Sequence, residues 1–206
     1  MTEKDIPDIV VGRLPRYLQA LEHMLRESHQ TTSSQELGEM IGISAAQIRK
    51  DLSQYGEFGK QGKGYAVAFL VEQLQQILKV NRVWDMALVG AGNLGHAIAN
   101  YQGFSIHGFR IKLVFDADPQ RVGTEIGGLT ILAASEMAKH IQQAGIRIAM
   151  LTVPATSAQA VTDELVKAGV RSILNYAPIT LVVPENMHVQ YIDPIIYLQR
   201  MTYYLD

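Results

Sequence analysis

The sequence predicts an α/β protein in which an N-terminal helical unit precedes a parallel β-sheet, and three observations support this fold class. A glycine loop at 90–95 directly follows an apolar run at 86–89. From residue 85 onward, apolar runs alternate with helical segments, which is typical of a parallel sheet with right-handed crossovers. The first third of the chain instead has its apolar residues at helical spacing. We expect strands at 85–89, 111–115, 146–152 and 171–174, and helices at 92–101, 134–143 and 155–168.

Composition excludes several classes of protein. The 206 residues are 48% hydrophobic and 18% charged, and no stretch approaches the roughly 18 apolar residues of a membrane-spanning helix. The N-terminus is charged and has no apolar signal core, so we expect a cytoplasmic protein without membrane contact. Without cysteine, disulfides and thiol redox switching are excluded, and the scattered histidines predict no metal site. The net charge of −2 gives no bulk attraction to nucleic acid, and positive charge is concentrated only between residues 44 and 65.

The stretch at 34–52 predicts two short helices joined by a turn at Gly42, a pattern typical of the helix-turn-helix. Ser44 can cap the second helix, which we expect at 44–55. Apolar residues of both helices form a seam that packs them together, and the second helix would then be the recognition helix in a DNA groove. The alternative is a helical hairpin with a solvated, charged face.

The outer face of this helix and the glycine-rich segment behind it contain the candidate DNA contacts. Gln47 can read a base edge, and Arg49 and Lys50 suit guanine or phosphate. Three glycines and two lysines between aromatic residues at 58–65 predict a two-stranded wing that lays its lysines along phosphates. A nucleotide phosphate is an alternative ligand, although the G-K-[ST] ending of a P-loop is missing. The predicted DNA-binding residues are Ser44, Ala46, Gln47, Arg49, Lys50, Lys60, Gln61 and Lys63.

The glycine loop has the spacing G-x-G-x-x-G, and Asp116 ends an apolar run 21 positions after Gly95. Strand, glycine turn, helix, strand and terminal carboxylate form the fingerprint of a dinucleotide-binding, Rossmann-type domain. In it, Gly90 permits the tight turn, Gly92 lets the backbone approach the pyrophosphate, and Gly95 allows close packing. Asp116 can accept hydrogen bonds from the adenosine ribose and repel a 2′-phosphate, which favours NAD(H) over NADP(H). A glycine triplet alone would often be only a tight turn.

Two further loops and a terminal helix complete the expected site. The loops at 152–155 and 175–178 follow strands, and ligands of open α/β sheets lie across the carboxyl ends of the strands. The last helix begins at Asp193 and Pro194 and is apolar nearly all round. Such a helix must be buried, either against a partner subunit or against its own domain.

These motifs together resemble the Rex family of redox-sensing transcriptional repressors over nearly the whole chain. The wing segment at 55–65, the glycine loop, and the segments at 115–119 and 175–178 support the resemblance. It implies a homodimer that represses transcription by binding palindromic double-stranded operator DNA. It also implies that NADH releases the protein from DNA, whereas NAD competes and permits binding. In the family, the C-terminal helix is swapped between subunits and lies between the two domains of its neighbour.

The resemblance also implies a switch. Asp193 matches a family aspartate that alternates between partners, for which the candidates here are Arg16 and Tyr101. Which side chain packs on the nicotinamide stays open, because Pro194 and Ile195 stand where the family often has phenylalanine; Phe104 is another candidate. The predicted cofactor-binding residues are Gly90, Ala91, Gly92, Asn93, Leu94, Gly95, Asp116, Pro154, Asn175, Tyr176, Tyr101 and Phe104.

We therefore expect a winged-helix DNA-binding domain at 1–78, an NAD(H)-binding domain at 79–190 and a dimerisation helix at 191–206, with an apolar helix at 65–80 as the link. An NAD-dependent oxidoreductase and a structural NAD-binding subunit are the alternatives. An oxidoreductase needs a proton donor or acceptor near the nicotinamide and a substrate pocket. The roughly 120 residues after the first domain are nearly used up by the nucleotide fold itself. No catalytic pair can be placed, so we expect a regulator and not an enzyme.

Overall fold

The structure, a computed structural model, describes residues 6–59 and 64–205 of the chain. The chain divides into two units, Met1–Arg82 and Val83–Asp206. The expected boundary at 78/79 and the separate segment at 191–206 stay predictions.

The described part of the first unit consists of helices and one short strand pair. Pro15 lies in the first turn of α2, and the Ser33 side chain caps α3 by accepting the Glu36 N–H. Gly42, with a φ of +69°, ends α3, and Ser44 caps α4 by accepting the Gln47 N–H. Its elements are α1 (Asp8–Val11), α2 (Leu14–Arg26), β1 (Thr31–Thr32), α3 (Ser34–Ile41), α4 (Ala45–Ser53), β2 (Tyr65–Ala66) and α5 (Val67–Ile77).

One hydrophobic core holds these helices together. Leu37 of α3 and Ile48 of α4 are fully buried against Tyr17 and Leu21 of α2, which confirms the expected apolar seam. The helix expected as a link, α5, instead contributes its buried face, including Leu70, to the same core. Its apolar residues recur at helical spacing and pack on α2, so α5 belongs to the first unit. β1 and β2 pair antiparallel.

The second unit is a seven-stranded sheet with helices between its strands. The strand order is β5-β6-β4-β3-β7-β8-β9, and every pair is parallel except β5–β6. The elements are β3 (Trp84–Val89), α6 (Asn93–Ala99), α7 (Gly103–Ile106), β4 (Phe109–Asp116), β5 (Glu125–Ile126), β6 (Leu129–Ala133), a 3₁₀ turn (Ala134–Glu136), α8 (Met137–Ala144), β7 (Ile148–Leu151), α9 (Ala155–Ala168), β8 (Ser172–Asn175), β9 (His188–Tyr191) and α10 (Pro194–Thr202).

The expected parallel sheet is confirmed, and its edges are the parts that the sequence did not predict. The four predicted strands correspond to β3, β4, β7 and β8, and the predicted helix at 155–168 is α9. The β5–β6 hairpin and β9 were missed. The two edge strands lack a continuous apolar run, because β5 has only two residues and β9 is largely polar. The helix expected at 134–143 begins with a 3₁₀ turn.

The carboxyl ends of the central strands meet at one edge of the sheet. The buried side chains of Val89, Phe115 and Leu151 lie at the carboxyl ends of β3, β4 and β7. The residues that follow them, Gly90, Asp116 and Thr152, are therefore neighbours. Within the described ranges, no helix has the length and apolar content that a membrane crossing requires.

Candidate functional site

The glycine turn after β3 has little space on its protein side and open space on the other. Gly90 adopts a φ of +102°, and a Cβ there would lie 2.7 Å from the Thr152 carbonyl oxygen. A Cβ at Gly95 would overlap the Gly90 carbonyl oxygen, so α6 packs directly on the turn. At Gly92, by contrast, the nearest atom to a Cβ would be an Arg121 nitrogen at 4.0 Å. The turn is thus closed towards the sheet and open at Gly92.

Thr152 connects this turn to the neighbouring strand. Its backbone N–H donates to the Val89 carbonyl at 2.9 Å, and its hydroxyl donates to the Gly90 carbonyl at 2.7 Å. The hydroxyl therefore holds the glycine turn from the end of β7. Thr152 opens the loop at 152–155 that the sequence analysis placed at the site, although it was not named among the individual cofactor-binding residues.

Asp116, at the end of β4, is buried, and both of its carboxylate oxygens accept hydrogen bonds from protein donors. One carboxylate oxygen, Oδ2, accepts the Ala91 N–H at 2.6 Å, and the other, Oδ1, accepts the Asp118 N–H at 2.8 Å. Arg121 approaches Oδ2 at 3.2 Å. Burial alone would raise the pKa of Asp116, but these hydrogen bonds outweigh it and hold the pKa below its ordinary value. The carboxylate is therefore charged at neutral pH and fixes the glycine turn.

A cavity of about 420 Å³ opens between the glycine turn, the end of β4 and the first turn of α9. It brings together four of the predicted cofactor-binding residues, namely Gly90, Gly92, Asp116 and Pro154. It also contains Thr152, from the predicted loop at 152–155, and Arg121, a polar residue that sequence reasoning missed. A carboxylate, a guanidinium and exposed backbone at a glycine turn can bind hydroxyl and phosphate groups of a nucleotide. Among the described residues, no group of acidic, histidine or cysteine side chains could hold a metal ion.

The remaining predicted cofactor-binding residues lie outside this cavity lining. Asn175 is buried, and its amide is used within its own loop, donating to the Ala177 and Ile179 carbonyls and accepting the Ala177 N–H. Burial raises the pKa of the half-buried Tyr176. Tyr101 is exposed and stacks edge-on against Phe104, with ring centroids 5.0 Å apart. Asn93 and Leu94 are exposed on α6, whereas Ala91 is buried. Their contact with a cofactor stays a prediction.

The C-terminal helix α10 exposes its apolar side chains. Asp193 caps α10 by accepting the Ile195 N–H at 2.9 Å, and it borders a second cavity of about 240 Å³ beside the end of β8. In the first unit, Arg16 donates to the Ile41 carbonyl at 2.6 Å. The proposed exchange of Asp193 between Arg16 and Tyr101 stays a prediction. Exposed large apolar residues of this terminal segment are Ile195, Ile196, Tyr197, Leu198, Met201, Tyr203, Tyr204 and Leu205.

Helix α4, the predicted recognition helix, presents some, but not all, of the predicted DNA contacts to solvent. Ala46 and Lys50 are exposed, and Arg49 is exposed while one of its nitrogens donates to the Ser34 hydroxyl at 2.8 Å. The Gln47 side-chain amide donates to Asp51, one turn further along the helix, at 2.7 Å. Ser44 accepts the Gln47 N–H as the helix cap. The predicted wing residues Lys60, Gln61 and Lys63 lie outside the described residues.

A buried ionic cluster anchors this helix to α2. Asp51 is fully buried and accepts two hydrogen bonds from Arg13, at 2.6 and 2.8 Å, and one from the Tyr17 hydroxyl at 2.6 Å. Burial raises the pKa of Asp51, but its three donor side chains outweigh burial and keep the pKa below its ordinary value. Burial, with the Asp51 acceptor, raises the pKa of Tyr17 to about 12. Sequence reasoning missed this cluster.

Comparison with known proteins finds matches to both parts of the chain. Residues 5–53 match the family model of a putative DNA-binding protein N-terminus, and residues 81–179 match that of a CoA binding domain. A redox-sensing transcriptional repressor Rex from Roseiflexus sp. (strain RS-1) is 53% identical over 97% of this chain and 90% of its own length. The Rex repressor of Chloroflexus aurantiacus (strain ATCC 29366 / DSM 635 / J-10-fl) is 50% identical over 100% of this chain and 97% of its own length.

Solved structures agree with this relationship. RSP in complex with beta-NAD+ and operator DNA matches with a TM-score of 0.93 at 37% identity, over 98% of this chain and 94% of that one. RSP in complex with beta-NADH matches with a TM-score of 0.90 at 35% identity, over 98% of this chain and 95% of that one.

Fold and site together define a transcription regulator that combines a helix-turn-helix unit with a Rossmann-like, dinucleotide-binding unit. The chain belongs to the Rex family of redox-sensing transcriptional repressors. Its relatives are named as repressors and not as oxidoreductases, which confirms the expected regulator over the enzyme alternative.

Proposed function

We propose that this chain is a cytoplasmic, homodimeric repressor that binds palindromic operator DNA and leaves it when NADH rises relative to NAD+. The observation that supports this most directly is the glycine turn at 90–92, closed against the sheet by Thr152 and tied to the strand-terminal carboxylate of Asp116. This is the geometry that a dinucleotide requires. The chain that contains it also contains a capped helix-turn-helix.

The residues present fit a dinucleotide. Gly92 faces open space, so its backbone can approach a pyrophosphate, and Asp116 stands where adenosine ribose hydroxyls bind in this fold. The nicotinamide supplies the redox-dependent difference, because it is cationic when oxidised and uncharged when reduced. Side chains that sense this difference must lie near that ring, and Tyr101, Phe104 and Tyr176 are our candidates.

We propose that α4 enters the major groove. Ala46 allows close approach, while Lys50 and Arg49 are exposed cations on one helix face. Asp51, by holding α4 to α2, fixes the direction in which this face points. The predicted wing lysines would add contacts to phosphate that are independent of sequence.

A second copy of the chain is the proposed partner of α10. Eight large apolar side chains of the terminal segment are exposed, which exceeds what an isolated surface helix tolerates. A swapped α10 would bury them and bring Asp193 to a neighbouring subunit, where we propose that it pairs with Arg16 in the DNA-bound form and with Tyr101 in the NADH form. The ligand then shifts the repressor off DNA by binding one arrangement better than the other.

The test is operator affinity measured against the NADH/NAD+ ratio at fixed salt, with the full chain and a duplex selected from a random-sequence pool. We expect affinity to fall as NADH replaces NAD+, with no conversion of NADH during the measurement. Arg16→Ala should weaken operator binding while NADH affinity stays equal or rises. Operator affinity that is independent of the ratio would contradict the proposal, and steady oxidation of NADH would favour an oxidoreductase. Elution as a monomer at assay concentration would contradict the dimer.

A further inference from the structure

Arg121 is the cation that reaches into the nucleotide cavity. It lies in the turn behind β4, where its backbone N–H donates to the Asp118 carbonyl at 3.0 Å. One guanidinium nitrogen, Nη1, is 3.2 Å from Asp116 Oδ2, and Nε is 3.6 Å from Asp118 Oδ2. Nη1 is also the atom nearest to where a Cβ of Gly92 would stand. Two carboxylates therefore hold the guanidinium between the acidic strand end and the glycine turn.

Asp116 has little capacity left for a ribose. A carboxylate oxygen can accept about two hydrogen bonds. Oδ2 already accepts from Ala91 and Arg121, and Oδ1 accepts from Asp118. A ribose hydroxyl thus finds one free position on Oδ1, or it replaces Arg121 on Oδ2. The carboxylate that sequence reasoning assigned to cofactor selection is chiefly occupied in holding its own turn.

The pairing of Arg121 with Asp116 also changes the charge that the 2′-phosphate of NADP(H) would meet. A lone Asp116 would repel that phosphate. Arg121 offsets part of the negative charge of Asp116 and Asp118, and it presents the planar fork of donors that binds phosphate in two places. In dinucleotide folds, an arginine at this end accommodates the 2′-phosphate of NADP. Because the Arg121 side chain is 46% exposed, it can turn from the carboxylate towards a ligand at small cost.

We propose that Arg121 is a specificity-determining residue at the adenosine end, which offsets the exclusion of NADP(H) by Asp116 and sets the ratio of NADH to NADPH affinity. This assignment depends on the proposed function of the cavity as an NAD(H) site. It predicts a weaker discrimination against NADPH than an unpaired aspartate would give.

The experiment compares the dissociation constants of NADH and NADPH for the full chain and its Arg121→Gln variant by calorimetry. We expect the NADPH constant of the variant to rise roughly tenfold, the effect of losing a charge-assisted hydrogen bond, while the NADH constant stays within about threefold. Arg121→Lys keeps the charge, so the ratio of its NADPH and NADH dissociation constants should stay close to that of the wild type. The matched control is Arg110→Gln, which removes an exposed arginine paired with Asp85 at the other end of β4 and should leave the ratio unchanged.

The assignment would be overturned if the ratio of the NADPH and NADH dissociation constants were unchanged in Arg121→Gln, or if the variant lost affinity equally for both nucleotides. An equal loss would mean that Arg121 contacts a part common to both nucleotides, such as the adenine ring. Retained NADH binding by the variant is the internal control for folding. If the wild-type protein binds neither nucleotide, the proposed function fails first and this assignment fails with it.

Discussion

Replacing Arg13 by methionine should loosen the recognition helix, because it removes the cation from a fully buried carboxylate. Arg13 supplies two of the hydrogen bonds that Asp51 accepts, and Tyr17 and Gln47 supply neutral ones. Breaking a buried ion pair from one side costs about 3–5 kcal/mol. The Arg13 side chain is 20% exposed, so we expect a loss near the lower figure, about 3 kcal/mol. That loss is a large part of the ~5–15 kcal/mol that stabilises a typical domain.

The same cluster predicts a pH dependence with a defined sign. The pKa of Asp51 in the folded protein is below its ordinary value of 3.8. Its contribution to stability is therefore present above pH 3.8 and is lost as pH falls through the pKa of the folded protein. The pKa of Tyr17 is raised from 10.0 to about 12, so its contribution to stability is present below pH 10.0 and is lost as pH rises through about 12. In Arg13→Met, a protonated Asp51 no longer needs a cation. The stability difference from wild type should therefore narrow as pH falls, because Asp51 becomes protonated at a higher pH in the variant than in wild type.

The loss of stability in Arg13→Met can be measured by hydrogen exchange of the α2 and α4 amides, together with operator affinity. This measurement reports on the two helices directly, so no unfolding transition has to be assigned to either unit. Protection of both helices and operator affinity should fall in Arg13→Met. Arg26→Met, at the exposed end of the same helix, is the matched control and should change neither. The double variant with Asp51→Asn should lose less than the sum of the single variants. Equal protection in Arg13→Met and Arg26→Met, or a difference that stays constant with pH, would refute the reasoning.

Three further changes test the cofactor site, the aromatic pair and the helix face. Gly92→Val should bind operator normally but no longer dissociate with NADH in a titration; normal dissociation would show that the cofactor site is misassigned. A Cβ at Gly103 would overlap the exposed Tyr101 ring. Tyr101 must therefore turn away in Gly103→Ala, which should weaken the NADH response. Because alanine loses less backbone entropy in a helix than glycine does, thermal stability should stay equal or rise by up to ~1 kcal/mol. An unchanged response would argue against a role for Tyr101. Lys50→Ala should reduce the slope of log affinity against log salt by about 1, and an unchanged slope would remove Lys50 from the phosphate contacts.

The features that the sequence predicted well depend on neighbours along the chain. The turn at Gly42 and the cap at Ser44 need only a positive φ and a hydroxyl three residues before an N–H. The glycine turn and Asp116 follow apolar strands whose parallel pairing brings their ends together. In each case the physical cause lies within one element or its direct continuation.

The features that were missed depend on partners far apart in sequence. Arg13 and Asp51 are 38 positions apart, and no local pattern reveals that a charged residue on α4 points into the core. Gln47 donates to the same carboxylate, which lies one turn later on α4, and its contact with a base stays a prediction. Asn175 is buried and its amide bonds within its own loop, and its contact with a cofactor stays a prediction. The long-range ion pair of Arg13 and Asp51, and no local pattern, decided the direction of the Asp51 side chain.

The exposed apolar side chains of α10 have a consequence for gene dosage. If a second copy must cover them, the species that occupies a palindrome forms in proportion to the square of the chain concentration whenever monomers predominate. Halving the number of chains in a cell would then reduce the repressing species about fourfold by mass action. Operator occupancy would respond steeply to synthesis of the chain, and a variant that pairs through α10 but lacks a working α4 would silence wild-type copies by mixing with them.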